Sequence, residues 1–265
     1  MISKNIIKPD PISLSTHHLH LAYSNNILAN GTGFIYEKNS KFYLITNWHV
    51  ITGRHPDTNK HLSKTGGMPN ILSTSFRLKD NIGSCKRENL NLYKDDDMQV
   101  PLWLEHPKHK NKVDVVAVRL SSEIVGQYAL FPINKNEFDT KYKEEVADEA
   151  FVIGYPFSDL TYLQLPIWKK ASIASEPNVN IDQLPKMYID TATRPGLSGS
   201  PVVMQRIGIH GCVNNTMPPD ALIGRIRNFI GIYSGRVGSD ELMAQLGIVW
   251  KAKVLEEIID GDIVG

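Results

Sequence analysis

Disulfides and surplus charge are both nearly missing from this chain of 265 residues. Its two cysteines, Cys85 and Cys212, are too few for the disulfide framework of a small secreted domain. Its 29 basic and 28 acidic residues leave a net charge of +1, so the composition shows no electrostatic footprint for an anionic polymer or surface. We therefore expect neither nucleic acid nor a membrane as a partner.

Long apolar runs are missing as well. No stretch approaches the roughly 18 consecutive apolar residues of a membrane-spanning helix. The first ten residues have neither the apolar core nor the small-residue cleavage site of a secretory signal. Together with the low cysteine content, this predicts a cytoplasmic location.

The chain does contain many short runs typical of β-strands. Residues 31–37 and 41–47 are β-rich and are separated by a polar turn, which predicts a β-hairpin. Further strand-like runs, punctuated by glycine, proline and polar residues, are 73–78, 100–104, 113–120, 149–154, 186–191, 200–205 and 229–234. This pattern predicts an all-β fold, a sandwich or a barrel.

Helical spacing is rare in this sequence. Residues 251–259 place apolar side chains at helical intervals and predict a C-terminal α-helix. A weaker helical pattern covers the charged stretch 137–148. The polar stretches 53–70 and 82–97 are predicted to be long loops.

Three short motifs contain the residue types of nucleophilic catalysis. His49 lies in TNWHV at the end of the second hairpin strand, Asp114 opens the apolar run DVVAV, and Ser198 lies in GLSGSP before another strand. A serine hydroxyl needs a neighbouring base to take its proton, and histidine titrates near neutrality. A carboxylate on the far side of the imidazole fixes its tautomer and stabilises the imidazolium. We therefore assign Ser198 as nucleophile, His49 as general base and Asp114 as the residue that orients it.

The glycines around Ser198 fit the same chemistry. A loop of this composition can turn so that the backbone N–H groups of Gly196 and Ser198 point at one spot. Two such donors would hold the oxyanion of a tetrahedral intermediate.

The closely spaced histidines His17, His18 and His20 raise the alternative of a metal site. In a strand, His18 and His20 would share one face, but no third ligand is identifiable, so a solvated polar edge is the preferred interpretation. We predict no metal and no cofactor.

Taken in this order, the motifs resemble a known family. GTGFIY before the hairpin, LITNWHV, VDVVAVRL, PGLSGSPV and FIGIYSG are similar to segments of the chymotrypsin/trypsin-like serine peptidases, in the compact bacterial form close to the HtrA and glutamyl-endopeptidase branches. QLGIVWKAKVLEEII resembles the last strand and C-terminal helix of that family. Unlike secreted relatives, this chain has Leu197 in place of an aspartate before the nucleophile, so no zymogen switch of that type is expected. No PDZ module follows within the chain.

The resemblance implies an all-β fold of two six-stranded antiparallel barrels with a C-terminal α-helix. The single peptidase domain, 1–265, would comprise an N-terminal barrel over 1–130, a C-terminal barrel over 131–250 and the helix over 251–265. The catalytic groups would lie at the junction of the barrels, and Ser234 would support the triad by bonding the buried aspartate.

The resemblance also implies a substrate pocket. Ala192 and Thr193 would form its base, and Tyr233, Gly235 and Arg236 one wall. No acidic residue lies at this base, so a preference for Arg or Lys at the cleaved bond is not expected. Small or medium apolar residues are favoured over acidic ones.

The function predicted on these grounds is a serine endopeptidase that hydrolyses protein or peptide substrates through an acyl-enzyme. Its activity would be controlled by a regulatory protein partner or by loop ordering. The alternative is a catalytically silent, peptidase-like binding or scaffold protein. An esterase of the α/β-hydrolase type is disfavoured, because it would place the serine first in the chain.

Overall fold

The structure is a computed structural model that describes residues 8–24, 26–63, 66–156, 164–192, 194–212, 216–219, 221–238 and 245–265. In this part of the chain, most residues lie in antiparallel strands and four short α-helices. None of these helices is long and apolar enough to cross a membrane.

Eight strands of the N-terminal half and one from the C-terminus form a single antiparallel sheet of nine strands within the described residues. Their order is β15-β6-β7-β3-β2-β1-β4-β5, and β8 pairs with β4. The strands are β1 Thr16–Tyr23, β2 Asn26–Lys38, β3 Lys41–Thr46, β4 Ile71–Leu78, β5 Cys85–Asn91, β6 Trp103–Glu105, β7 Val116–Arg119, β8 Tyr128–Ala129 and β15 Ile263–Val264. An isolated bridge between Tyr93 and Pro101 brings the chain after β5 beside the chain before β6.

The C-terminal half forms a closed barrel. Six described strands follow one another around it in the order β10-β11-β14-β13-β12-β9. They are β9 Glu149–Gly154, β10 Ile167–Ile173, β11 Lys186–Asp190, β12 Pro201–His210, β13 Leu222–Arg236 and β14 Leu246–Lys251. The all-β prediction is therefore confirmed, and this half has the predicted six strands, whereas the N-terminal half has more strands than the resemblance implies.

The predicted hairpin is confirmed as β2 and β3, with Tyr36 opposite Tyr43. Asn39 and Ser40 link the strands, and both have positive φ, 51° and 58°. Two such residues form the tight turn whose twist matches that of the strands it joins.

Helices were the less predictable elements. The C-terminal helix is confirmed as α4, Val254–Gly261, although the first residues of the predicted range belong to β14 or to a turn. The helix predicted over 137–148 is wrong, because that stretch consists of turns and extended chain. The prediction of a continuous loop over 82–97 is also wrong, since β5 crosses it. The remaining helices are a turn or two long: α1 Pro11–Ser15, α2 Trp48–Thr52 and α3 Ser122–Gln127.

Both ends of the described chain cross to the opposite half. Near the N-terminus, Asp10 forms an ion pair with Arg227 of β13. At the C-terminus, β15 pairs with β6 of the N-terminal sheet. One buried apolar cluster combines Phe34 and Ile45 of the first half with Ile232 of the second. The halves are therefore packed together around a shared core.

The histidines of β1 are not the solvated edge that the sequence suggested. His17 is 8% exposed, and its Nδ1 lies 3.1 Å from the carbonyl oxygen of Ser75, to which it donates. Burial lowers the pKa of His17 to about 4. Within the described residues, no group of three His, Cys, Asp or Glu side chains could hold a metal ion.

The buried histidine makes acid stability testable. Since the pKa of His17 is about 4 in the folded protein and about 6.5 in the unfolded chain, the unfolded state binds more protons between these values. His17 should therefore lower the free energy of unfolding by about 3 kcal/mol as the pH falls from 6.5 to 4. Urea unfolding across this pH range should show a shallower loss for His17→Gln, which cannot titrate. His55→Gln, at an exposed position, is the matched control and should follow the wild type; parallel curves for all three proteins would contradict the assignment.

Candidate active site

His49 lies in the first turn of α2, rather than on the hairpin strand as predicted. β3 ends at Thr46, Asn47 is extended at the helix N-cap, and the helix begins at Trp48. Gly53 ends the helix in the left-handed region, at φ 66°, and its N–H donates to the carbonyl oxygen of His49. A glycine at this position lets the helix end about one turn after His49.

Asp114 lies two residues before β7 and is 2% exposed. Its Oδ1 accepts from the backbone N–H of His49 at 2.8 Å, and its Oδ2 lies 2.6 Å from His49 Nδ1. The hydroxyl of Ser234, on β13, also donates to Oδ2. The backbone carbonyl of Asp114 accepts from the side-chain amide of Asn47 at 2.7 Å. A carboxylate removed from water in this way is compensated by three donors, and it holds the imidazole with Nδ1 toward it.

Ser198 lies in the loop that joins β11 to β12. Its hydroxyl donates to the carbonyl oxygen of Ser234 at 3.3 Å, and it makes no hydrogen bond with His49. Ser234 therefore connects Asp114 and Ser198, since its hydroxyl donates to the Asp114 carboxylate and its carbonyl accepts from the Ser198 hydroxyl. The structure brings all four predicted residues together, with the serine hydroxyl bonded to the Ser234 carbonyl and not to the imidazole.

The loop before Ser198 has the features of a type II turn. Pro195 precedes Gly196, Gly196 has φ 96°, and the N–H of Leu197 donates to the Arg194 carbonyl at 3.4 Å. Such a turn favours proline and then requires a residue with positive φ, normally glycine. A Cβ on Gly196 would also lie 2.3 Å from the carbonyl oxygen of Tyr155. Both conformation and space therefore require glycine here.

Thr32, on β2, fastens this loop to the N-terminal half, and the sequence reasoning missed it. Its N–H donates to the carbonyl oxygen of Ser198 at 2.8 Å, and its hydroxyl donates to that of Gly196 at 2.7 Å. The same hydroxyl accepts from the N–H of Tyr155 at 3.1 Å. Thr32 is fully buried, and Thr46 Oγ1 donates to its carbonyl. The signal in the sequence was a single polar residue between two glycines in GTGF.

The predicted substrate pocket is only partly described. Ala192 is exposed at its edge, and Arg236 is exposed at the end of β13 beside Gly235. Thr193 lies outside the described residues. Tyr233 does not form the open pocket wall that the resemblance implies, because it is 2% exposed and its ring belongs to the core of the C-terminal barrel.

The position of Tyr233 ties it to the nucleophile loop. Its backbone exchanges hydrogen bonds with that loop, accepting from Gly199 N–H and donating to the Ser200 carbonyl, both at 2.9 Å. Its ring lies in one apolar cluster with Leu197, the neighbour of Ser198. A Cβ on Gly247 of β14 would lie 2.7 Å from that ring. The aromatic side chain thus fills space between β13 and β14 in the core of the barrel.

In chemical terms, the site holds a serine hydroxyl, an imidazole and a buried carboxylate beside a glycine-containing turn. Such groups can perform nucleophilic substitution at an acyl carbon without a cofactor.

Known proteins supply an independent comparison. Residues 31–208 match the family described as the trypsin-like peptidase domain. No curated protein sequence matches the chain. The serine endoprotease from Yersinia pestis has a similar structure, with a TM-score of 0.51 and 12% identity over 96% of this chain and 67% of that one. The HtrA-type protease AlgW, solved with a tripeptide, gives a TM-score of 0.53 and 14% identity over 95% of this chain and 60% of that one.

At these identities the solved structures show the fold alone, and this chain spans about two thirds or less of their length. The family match covers more than half of the present sequence and includes the positions of His49, Asp114 and Ser198. The chain therefore belongs to the family of trypsin-like peptidase domains, hydrolases that act on protein or peptide substrates.

Proposed function

We propose that the chain is a serine endopeptidase in which Ser198 attacks the peptide carbonyl and forms an acyl-enzyme. His49 takes the proton from the attacking hydroxyl and later gives it to the leaving amine, while Asp114 holds the imidazole in the required tautomer. The observation that carries this proposal is the pair of hydrogen bonds from His49 to the buried Asp114. Ser234 adds a third donor and so supports the carboxylate from the second half of the molecule.

The backbone N–H groups of Gly196 and Ser198 are proposed to hold the oxyanion. The turn at Gly196 supports this assignment, since its positive φ sets the direction of the preceding peptide group. Carbonyl oxygens on this loop are already occupied, because Thr32 donates to both Gly196 and Ser198. These bonds from Thr32, together with the one from the Ser200 N–H to the Leu197 carbonyl at 3.0 Å, hold the loop around the peptide group that carries the Ser198 N–H.

Catalysis requires one local movement. The Ser198 hydroxyl must turn about its Cα–Cβ bond from the Ser234 carbonyl toward His49. Catalytic hydrogen bonds are often formed only when substrate is bound. We propose that substrate, loop ordering or a regulatory protein partner favours this rotamer.

A catalytically silent binding protein is the second candidate. It is favoured by the same rotamer of Ser198 and by the buried ring of Tyr233, which does not form an open wall of a substrate pocket. The presence of all three triad residues in contact with one another or with Ser234 favours the enzyme. Covalent labelling of the serine separates the two candidates.

We also propose a cytoplasmic location. Cys85 and Cys212 are free in the structure, which suits a reducing compartment. Immunoblots of fractionated cells would test this proposal, and recovery in the extracytoplasmic fraction would contradict it.

Replacing the nucleophile is the first test. Ser198→Ala should abolish labelling by a fluorophosphonate probe and lower kcat for peptide hydrolysis by roughly 10⁴-fold or more, because the acyl-enzyme cannot form. Its thermal unfolding should match the wild type. Ser200→Ala is the matched control, since that buried hydroxyl has no hydrogen-bond partner among the residues that the structure describes. A wild-type protein that takes up no probe, even with an unfolded protein as substrate, would favour the silent binding protein.

Thr32 tests whether the loop must be held. Thr32→Val keeps the side-chain shape but leaves the Gly196 carbonyl and the Tyr155 N–H without their partner, and each unsatisfied buried group costs about 1–3 kcal/mol. At an assay temperature well below the melting temperature, we expect kcat to fall at least about ten-fold and probe labelling to slow in proportion. Thr32→Ser retains the hydroxyl and should retain most activity. Equal labelling rates for the Val and Ser variants would show that the hydroxyl does not position the loop.

Substrate preference tests Tyr233. Because its ring is packed in the core at the position where the resemblance places the pocket wall, we expect cleavage after small apolar residues such as Ala or Val, with little after Arg, Lys or Phe. Tyr233→Ala should shift cleavage toward larger residues, whereas Tyr188→Ala, on the outward face of β11, should not. Mass spectrometry of a digested proteome gives the preference of each protein. Efficient cleavage after Arg or Phe by the wild type would be incompatible with a filled pocket.

A further inference from the structure

A second cavity lies away from the triad, between β1, β4 and β5 of the N-terminal sheet and the chain around Tyr155. Its volume is about 320 Å³, which is at the lower end for small-molecule sites. Its described lining consists of Leu14, Thr16, His17, His18, His20, Ser75, Arg77, Cys85, Arg87, Tyr155 and Gln164. The family resemblance and the proposed reaction give this cavity no role.

The lining is basic and contains no carboxylate among its described residues. Arg77 and Arg87 carry permanent charges, and Nη1 of Arg77 also donates to the Ile82 carbonyl at 2.9 Å. The charge of Arg77 lowers the pKa of His17, after the larger effect of burial. Arg87 Nη2 lies 3.4 Å from His20 Nε2, so its described neighbour is an imidazole rather than an acid. In a chain with a net charge of only +1, this concentration of positive charge is local.

The pKa of His20 reflects the burial and the charges around its ring. Burial and then the charge of Arg87 lower its pKa, while the hydrogen bond between its Nδ1 and Asn30 Oδ1, at 2.8 Å, acts in the opposite direction. His18 lies next to it, with ring centroids 4.3 Å apart, and stacks on Tyr155 at 5.0 Å. An anion in the cavity would favour the protonated form of His20 and would accept hydrogen bonds from the guanidinium groups.

The cavity also adjoins the nucleophile loop. Tyr155 forms part of its wall, and its hydroxyl donates to the carbonyl oxygens of Thr16 and Gln164. The backbone of the same residue donates to Thr32 Oγ1, and its carbonyl oxygen is the atom that a Cβ on Gly196 would strike. Tyr155 is therefore shared between the basic cavity and the turn before Ser198.

We propose that this cavity binds a phosphate-bearing small molecule through Arg77, Arg87 and the histidines of β1. Guanidinium groups suit a phosphate dianion, which offers several acceptor oxygens in a small volume, and His20 becomes a further donor once it is protonated. Through Tyr155 and Thr32, the bound group adjusts the nucleophile loop. This second part rests on the proposed peptidase function, whereas binding itself does not.

Binding is tested by titrating the full chain with inorganic phosphate while the histidine C–H signals are followed by NMR at constant ionic strength. Saturable shifts at His20 and His18, with a raised pKa for His20, are expected. Acetate at equal ionic strength is the comparison for a carboxylate and should shift these signals less. Shifts that grow linearly with any added salt, or that appear at His55 instead, would overturn the site.

Matched variants localise the effect. Arg87→Ala, at an exposed position, should weaken phosphate binding about ten-fold or more, since a charge-assisted bond is lost. Arg119→Ala, an exposed strand arginine outside the cavity, should bind as the wild type does. Equal affinities of these two variants would refute the role of Arg87. Arg77→Lys offers a second readout, because it keeps a charge but removes bidentate geometry and should also weaken binding.

The link to the nucleophile loop has its own readout. Phosphate at saturating concentration should change the rate of fluorophosphonate labelling at Ser198 in the wild type and not in Arg87→Ala. Saturable binding with an unchanged labelling rate would overturn the link while leaving the binding site in place. A protein that binds phosphate but takes up no probe under any condition would refute the peptidase proposal and the link, and not the site.

Discussion

The buried carboxylate of Asp114 is the constraint on which the arrangement of the two halves depends. A carboxylate away from water is costly unless donors surround it. Two of its donors come from His49, in the same half, and the third is the hydroxyl of Ser234 on β13. The second half of the molecule must therefore lie close enough for Ser234 to donate to the Asp114 carboxylate in the first half. That requirement also explains why one apolar cluster runs through both halves, since separated halves would expose an incomplete site and an open core.

Thr32 makes a corresponding connection in the opposite direction. It belongs to β2, yet its side chain and N–H fasten Gly196 and Ser198 of the C-terminal half. The turn that it holds requires positive φ at Gly196, a conformation that is favourable only for glycine. Each half thus supplies the group that the other needs: Ser234 stabilises Asp114, and Thr32 holds the loop of the nucleophile. The site is a property of the junction, and neither half contains it alone.

The residues that sequence reasoning identified are those whose chemistry is written in a short motif. His49, Asp114 and Ser198 each lie in a segment of a few residues with a recognisable pattern, and their proximity follows from the fold. Thr32 has no such pattern, because its role arises from contacts with residues more than 160 positions away. The helix predicted over 137–148 failed for a related reason: Phe138, Tyr142 and Val146 have helical spacing, but hydrogen bonds to β13 hold this stretch as turns and extended chain. The burial of His17 was equally hidden, since alternation along a strand does not reveal which face another strand covers.

The two features that oppose activity differ in strength. One long hydrogen bond joins the Ser198 hydroxyl to the Ser234 carbonyl, and such a bond contributes about 0.5–1.5 kcal/mol. A bound substrate could offset that amount with a single new contact. The ring of Tyr233 is packed in the barrel core, and removing a buried aromatic side chain from its surroundings costs about 3–5 kcal/mol. The rotamer of the nucleophile is therefore a weak restraint, and the packed ring of Tyr233 is a strong one. For the proposed peptidase, this comparison predicts that selectivity against bulky side chains restrains proteolysis more effectively than the rotamer of the nucleophile does.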